Sequence, residues 1–245
     1  MLSVFLTVFS TMWAQTAPDK HFEVASVKLH TESGGAGIIQ PHPDGIVATN
    51  STVEHCIQWA WNLRSYQLRP SPLLSEPVHY DIVAKSSEKV SLEDLRMMLR
   101  SLLVDRFGLA FHMEKQELPI YALTISKGGP INLHEPAPDE TTSMELDPAD
   151  TRDGTRWKFH NQPLSAAAGL ISNGLSRPLL DMTGLGRFDF AFLLPVRDPG
   201  EKLEDYDLLE VFPALQRQLG IRVVPQTAPI EVFVVDRLAK TPTAN

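Results

Sequence analysis

The sequence predicts an α+β protein of two similar tandem lobes, each with two helices packed on a mostly antiparallel sheet. Three observations carry this. Short alternating apolar segments, read as strands, are interleaved with capped segments of helical periodicity. The joints Leu118-Pro119 and Ala228-Pro229 read as tight hairpin turns rather than crossover helices. Four landmarks then recur in one order: Asn50 with Asn161, Asp81 with Asp189, Gly108 with Gly220, and Pro119 with Pro229, at offsets of 111, 108, 112 and 110 residues. Such constant spacing points to duplication of a β-α-β-α-β-β unit. The expected division is 1–17 as a signal peptide, 21–133 as the first repeat, 134–155 as an acidic, Pro-containing linker or loop, and 156–240 as the second repeat.

Taken in order, Leu2 to Phe9 form a short apolar run, extended by Met12 and Trp13 and followed by the small residues Ala14, Thr16 and Ala17. That pattern predicts export to the periplasm or beyond, although no Lys or Arg precedes the run. Residues 22–29 alternate as a strand, and Ser33 to Gly37 form a flexible break. Pro41, Pro43 and Asp44-Gly45 predict a turn before a strand at 46–49. Ser51 or Thr52 caps a helix to about Leu63, and 78–84 is a strand. Ser91 caps the strongest helix, with an apolar stripe at Leu92, Leu95, Leu99, Leu102, Leu103 and Phe107, and Gly108 stops it. Strands follow at 109–114 and 120–126. Residues 134–155 hold three prolines and many acids but few apolar groups.

Composition narrows the functions. Hydrophobic residues make up 43% of the 245, enough for real cores. A net charge of −8 repels phosphate backbones and argues against nucleic-acid binding. No apolar run reaches the roughly 20 residues that span a bilayer. Cys56 is the single cysteine, so it forms no internal disulfide, and its apolar neighbours mark it as a buried small side chain.

Catalytic motifs fail on inspection. Asp181-Met182-Thr183-Gly184 has one residue too many for an aspartic-protease signature and lacks a second copy. Gly174-Leu175-Ser176-Arg177-Pro178 lacks the last Gly of a nucleophile elbow. Gly34, Gly35 and Gly37 precede no Lys-Ser/Thr. The eight His are scattered, with no pair at helical zinc spacing. Asp147, Asp150 and Asp153 are spaced by three, where a calcium loop uses alternate positions, and the acids at 198–207 read as solvated loop charge. No cofactor and no metal are therefore expected. Trp59, Trp61 and Tyr66 are the candidate binding residues, because an exposed aromatic suits a contact surface.

These residues, as a set, resemble a family of uncharacterised exported proteins, expanded in soil bacteria of the acidobacterial type, that carry a domain of unknown function. The matches are Phe22 to Lys28, Thr49-Asn50-Ser51-Thr52 with Trp59-Ala60-Trp61, Tyr66-Gln67-Leu68, Tyr80 to Lys85, Asp105-Arg106-Phe107, His112, Glu114 and Glu117 to Leu123. Lys127 to Pro130 closes the first half; Arg177-Pro178, Asp181 to Leu185, Gly186 to Phe190 and Ala228 to Val232 follow in the second. Arg69 to Leu74 departs from the family's usual Gly-Gly-Pro and Trp, and one residue is missing between Leu185 and Gly186. The resemblance implies export and assigns no activity. Related domains are sometimes attached to membrane metallopeptidases of the β-lactam-sensor type, but this chain has no His-Glu-x-x-His. The signature residues Asn50, Asp81, Arg106, His112, Pro119, Asp181, Gly184 and Asp189 are expected to be structural.

The resulting expectation is a non-catalytic module of the cell envelope that binds an extended protein or peptide, preferably neutral or basic, at sheet margins formed by 120–126 and 230–236. The alternative is a hydrolase whose site is assembled from distant residues such as Asp81, Asp189 and His112.

Overall fold

A computed structural model describes residues 20–32, 34–75, 78–147, 154–172, 175, 177–196, 202 and 210–243. The expected signal peptide, Asp150 and Asp153 of the calcium-like run, the elbow-like Ser176 and all five acids at 198–207 lie outside the described residues. The fold is an α+β mixture with four helices and several antiparallel sheets among those residues. None of these helices is long and apolar enough to cross a membrane. The chain divides into two compact units, Met1–Gln116 with Ile230–Asn245, and Glu117–Pro229. These bounds differ from the expected 21–133 and 156–240.

In the first unit, β1 (Val24–Leu29), β2 (Ile38–His42), β3 (Gly45–Thr52) and β4 (His79–Lys85) form an antiparallel sheet in the order β1-β4-β3-β2. In β4, buried Tyr80, Ile82 and Ala84 alternate with His79, Val83 and Lys85, the period-two signature of a half-buried strand. β2 was not anticipated because Pro41 stands inside it. It is an edge strand, where a missing N–H need remove no ladder bond.

Helix α1 (Val53–Trp61) starts at Thr52, whose hydroxyl accepts the His55 N–H, and ends at left-handed Asn62. Helix α2 (Leu92–Phe107) starts at Ser91, whose hydroxyl accepts the Asp94 N–H, and ends at Gly108 with φ 56°. Leu95, Leu99, Leu102, Leu103 and Phe107 are buried, but Leu92 is 47% exposed because the first helical position falls outside the packed stripe. Burial also pushes the Cys56 thiol up to about 12, so it is a packing group.

In the second unit, β6 (Ser143–Asp147), β7 (Gly154–Pro163) and β9 (Arg187–Pro195) form an antiparallel sheet in that order. Helices α3 (Leu164–Ser172) and α4 (Phe212–Leu219) bury Leu164, Ala167, Ala168 and Ile171, and Phe212, Leu215 and Leu219. These join Phe159, Phe190 and Phe192 in one core, where the Phe159 and Phe190 rings stack at 4.6 Å. The strand β6 falls inside the segment 134–155 that composition reads as linker. Met144 and Leu146 alternate with Ser143, Glu145 and Asp147, but both are exposed, so the strand buries no apolar face. Its acids are instead matched across the ladder, Glu145 facing Lys158 and Asp147 facing Arg156.

A third sheet has the order β10-β5-β8, with β5 (Ala110–Ile125), β8 (Leu179–Asp181) and β10 (Ile221–Arg237). This corrects the two expected hairpins. Both β5 and β10 run straight through their prolines, Pro119 and Pro229. A two-residue hairpin needs positive φ at a central residue, and neither Leu118 nor Ala228 has it. Proline's fixed φ is compatible with extended backbone, so the strands continue. It also corrects the expected margin at 120–126. There β5 is a central strand, with Tyr121 to Leu123 paired in parallel with β8.

Candidate functional site

Two asparagines at positive φ organise the polar ends of the two antiparallel sheets. Asn50 has φ 51° and sits where the β3–β4 register shifts. Its N–H donates to Asp81 Oδ1 at 3.0 Å, and its Nδ2 donates to the Gly34 and Gly35 carbonyls at 3.2 and 2.7 Å. Asn161 has φ 47° and sits at the β7–β9 register shift. Its N–H donates to Asp189 Oδ1 at 2.7 Å, and its Nδ2 donates to the Glu140 carbonyl at 2.8 Å. In each case a bulge residue is pinned to an aspartate of the next strand. Asn tolerates the left-handed region better than most residues.

The two aspartates differ in what else they hold. Asp81 also takes the Nδ1 of His30, at 2.9 and 3.0 Å to its two oxygens, and that imidazole is only 8% exposed. The Asn50 N–H, and then the His30 ring, hold the Asp81 carboxyl below its ordinary value. Asp189 instead stands beside Glu140 and His160. His112 belongs to a third set, with Nδ1 at 2.9 Å from Asp236 and Nε2 at 3.7 Å from Glu114. Asp81, Asp189 and His112 are thus engaged by three different groups of partners.

The other signature residues hold local structure. Asp181 Oδ1 accepts from the Thr183 N–H at 3.0 Å and the Thr183 hydroxyl at 2.7 Å, and Gly184 follows with φ 69°. Arg106 donates from Nε to the Thr243 carbonyl at 2.8 Å. Pro119 lies within β5.

The aromatic candidates are all half-buried. Trp59 lies under the Arg96 guanidinium at 5.8 Å. Trp61 lies under that of Arg100 at 5.4 Å, and makes edge contacts with Phe111 and Phe233 at 4.9 and 5.0 Å. Both tryptophans pack against the core of the first unit. Tyr66 sits in a short 3-10 turn, Ser65–Gln67, where partial burial raises its hydroxyl pKa.

The second unit has an open strand edge that no motif announces. One side of β9 pairs with β7. On its other side the N–H and C=O of Asp189 exchange bonds with the His134 backbone, at 2.8 and 3.0 Å. The N–H and C=O of Leu193 are met by the side-chain amide of Gln218, at 2.8 and 3.0 Å. Ala191 lies midway, and its backbone groups point the same way as those two residues away. Among the described residues nothing bonds them on that side. They face a concavity of about 570 Å³ that is also lined by His134, Lys158, His160 and Arg217. In the first unit the corresponding side of β4 is filled by β1 over six residue pairs.

Residues 54–238 match a family described as a protein of unknown function, DUF3738. The chain belongs to this family. No curated protein and no solved structure matches it significantly. The DUF3738 match takes in Asp81, Asn161 and Asp189 and every residue of the β9 edge, and it begins just after Asn50. Sequence reasoning singled out Asp189 but missed Ala191, His134 and Gln218. Ala191 stands out only because two neighbours on the strand are already bonded.

Proposed function

We propose that this DUF3738 protein is an exported, non-catalytic interaction module of the cell envelope, built from two related halves, which binds an extended segment of a protein or peptide by strand addition to β9. The observation that carries the reading is the unpaired backbone of Ala191 between two satisfied positions. An open N–H and C=O on a strand edge is a template for another chain. The capped positions at Asp189 and Leu193 limit pairing to a short register. Sheets of otherwise similar plan support the assignment, since β4 carries a fourth strand where β9 does not.

Local charge sets the ligand class. Although the chain is acidic overall, Arg156, Arg217 and His134 line the concavity beside Ala191, while Lys158, directly across from it in the ladder, is paired with Asp147 at 3.1 Å. This favours an acidic segment, in contrast to the neutral or basic partner that net charge implies. Duplication is supported by the repeated Asn-to-Asp bond at the two bulges.

Panning a library of extended peptides against the purified chain tests this. Recovered peptides should be rich in Asp and Glu. Ala191→Pro removes the outward N–H without touching the ladder to β7, so the fold should persist and affinity should fall about tenfold. Peptides that bind Ala191→Pro as tightly as the parent would overturn strand addition at β9.

A further inference from the structure

We propose that Glu140, His160 and Asp189 form a binding site for a divalent transition-metal ion of the zinc class. The three residues come from the segment before β6, from β7 and from β9, and all are half-buried. One ligand atom from each lies within 4.8 Å of the others, and the His160 Nδ1 is 3.1 Å from Glu140 Oε1.

Charge is the first argument. The set places two carboxylates around one imidazole. Asp81, held by the same kind of backbone bond, has His30 to itself. Asp189 has the Asn161 N–H, and among the described residues it forms no ion pair. Two carboxylates and an imidazole this close bring three ligand atoms around one point, which a single divalent cation can share. Support from surrounding groups is the second argument. Asn161 orients two of the ligands at once, through its N–H to Asp189 and its Nδ2 to the Glu140 backbone. The Ala137 N–H holds the second Glu140 oxygen at 3.1 Å, and Arg187 Nε donates to Asn161 Oδ1 at 3.0 Å. Bonds of this kind fix ligand orientation at metal centres.

One imidazole nitrogen and two carboxylate oxygens suit zinc and its neighbours. Calcium asks for six to eight oxygens. His160 and Asp189 also line the β9 concavity, so a fourth coordination position opens towards it. His160, like His112, has a carboxylate at each ring nitrogen, Glu140 at 3.1 Å and Glu145 at 3.7 Å; the His112 set differs in that no third group corresponding to Asp189 converges on it among the described residues.

The metal-stripped full chain should bind one Zn²⁺ in calorimetric titration and develop intense visible bands with Co²⁺. Glu140→Gln and His160→Gln should each weaken binding by about tenfold or more. His112→Gln and Ala191→Pro should leave it unchanged, which separates this site from strand addition. Asp189→Asn also loosens the Asn161 bulge, so Glu140→Gln is the deciding variant. Absence of saturable Zn²⁺ binding, or binding that survives both Glu140→Gln and His160→Gln, would overturn the proposal.

Discussion

His112 is held between two carboxylates, Asp236 on β10 and Glu114 on β5, and Arg69 contacts the other oxygen of Glu114. The hydrogen bond that its ring N–H donates to Asp236 raises its pKa above the ordinary value, against a smaller desolvation effect. A raised folded pKa stabilises the fold fully below the unfolded value, and the stabilisation is lost as pH rises through the folded value. Melting temperature should therefore fall modestly as pH increases from about 6 to 8, the range in which His titrates. His112→Gln should flatten that slope; an equal slope in the variant would show that another group is responsible. The effect is small because the imidazole is 40% exposed and solvent screens the pair. Asn161 makes a sharper test at this scale. Its φ of 47° costs an ordinary residue about 1–2 kcal/mol. Asn161→Ala should lose that amount in denaturant unfolding, in addition to the bond to Glu140. Asn161→Gly should recover the backbone share alone.

At the scale of the element, α2 offers the clearest contrast. Leu99 is fully buried and Leu102 nearly so, whereas Leu92 is half in solvent. Leu99→Ala and Leu102→Ala should each cost about 2–5 kcal/mol, a large share of the ~5–15 kcal/mol that holds a domain. Leu92→Ala should shift the denaturant midpoint hardly at all. A small effect at Leu99 would mean that the helix is not seated on the sheet as described. The long strands belong at this scale too. Both β5 and β10 contribute one stretch to each unit, 110–116 and 230–237 to the first, 117–125 and 221–229 to the second. Each unit is therefore built from two separate stretches of these strands, and the expected lobe boundaries moved accordingly.

For the whole molecule, export is the property with the most direct assay. The apolar run and small residues before Asp19 predict cleavage near residues 14–17. Mass spectrometry of the protein from its native host should find a chain that begins between Gln15 and Pro18. An intact Met1 in the cytoplasmic fraction would end that reading. Export would also fit a chain with a single, buried cysteine, since no thiol is exposed to an oxidising compartment. The overall charge of −8 and the basic lining near Ala191 act at different ranges. Net charge governs solubility and distant encounter, while Arg156, His134 and Arg217 act within a Debye length of the ligand.

Local chemistry determined what the sequence by itself could show. Ser91 and Gly108 bound α2 because a cap hydroxyl and a left-handed glycine act within one turn of the helix. The alternation in β4 was legible because its two faces meet different solvents. Asn50 and Asn161 were legible as repeated landmarks, although their role at a bulge was not. Tertiary structure alone decided the rest. Pro119 looks like a turn until its strand is seen to continue, since proline fixes φ but leaves ψ, and with it the choice between an extended and a reversing chain, to the strands that pair with it. The strand β6 is invisible in composition because cross-strand charges on a partner strand, and no burial of its own, accompany it. Glu140, His160 and Asp189 have no spacing that signals a site. Ala191 is notable only for the bonds its neighbours make. Such properties depend on which backbone groups remain unpaired after folding, and that is fixed by contacts between residues far apart in the chain.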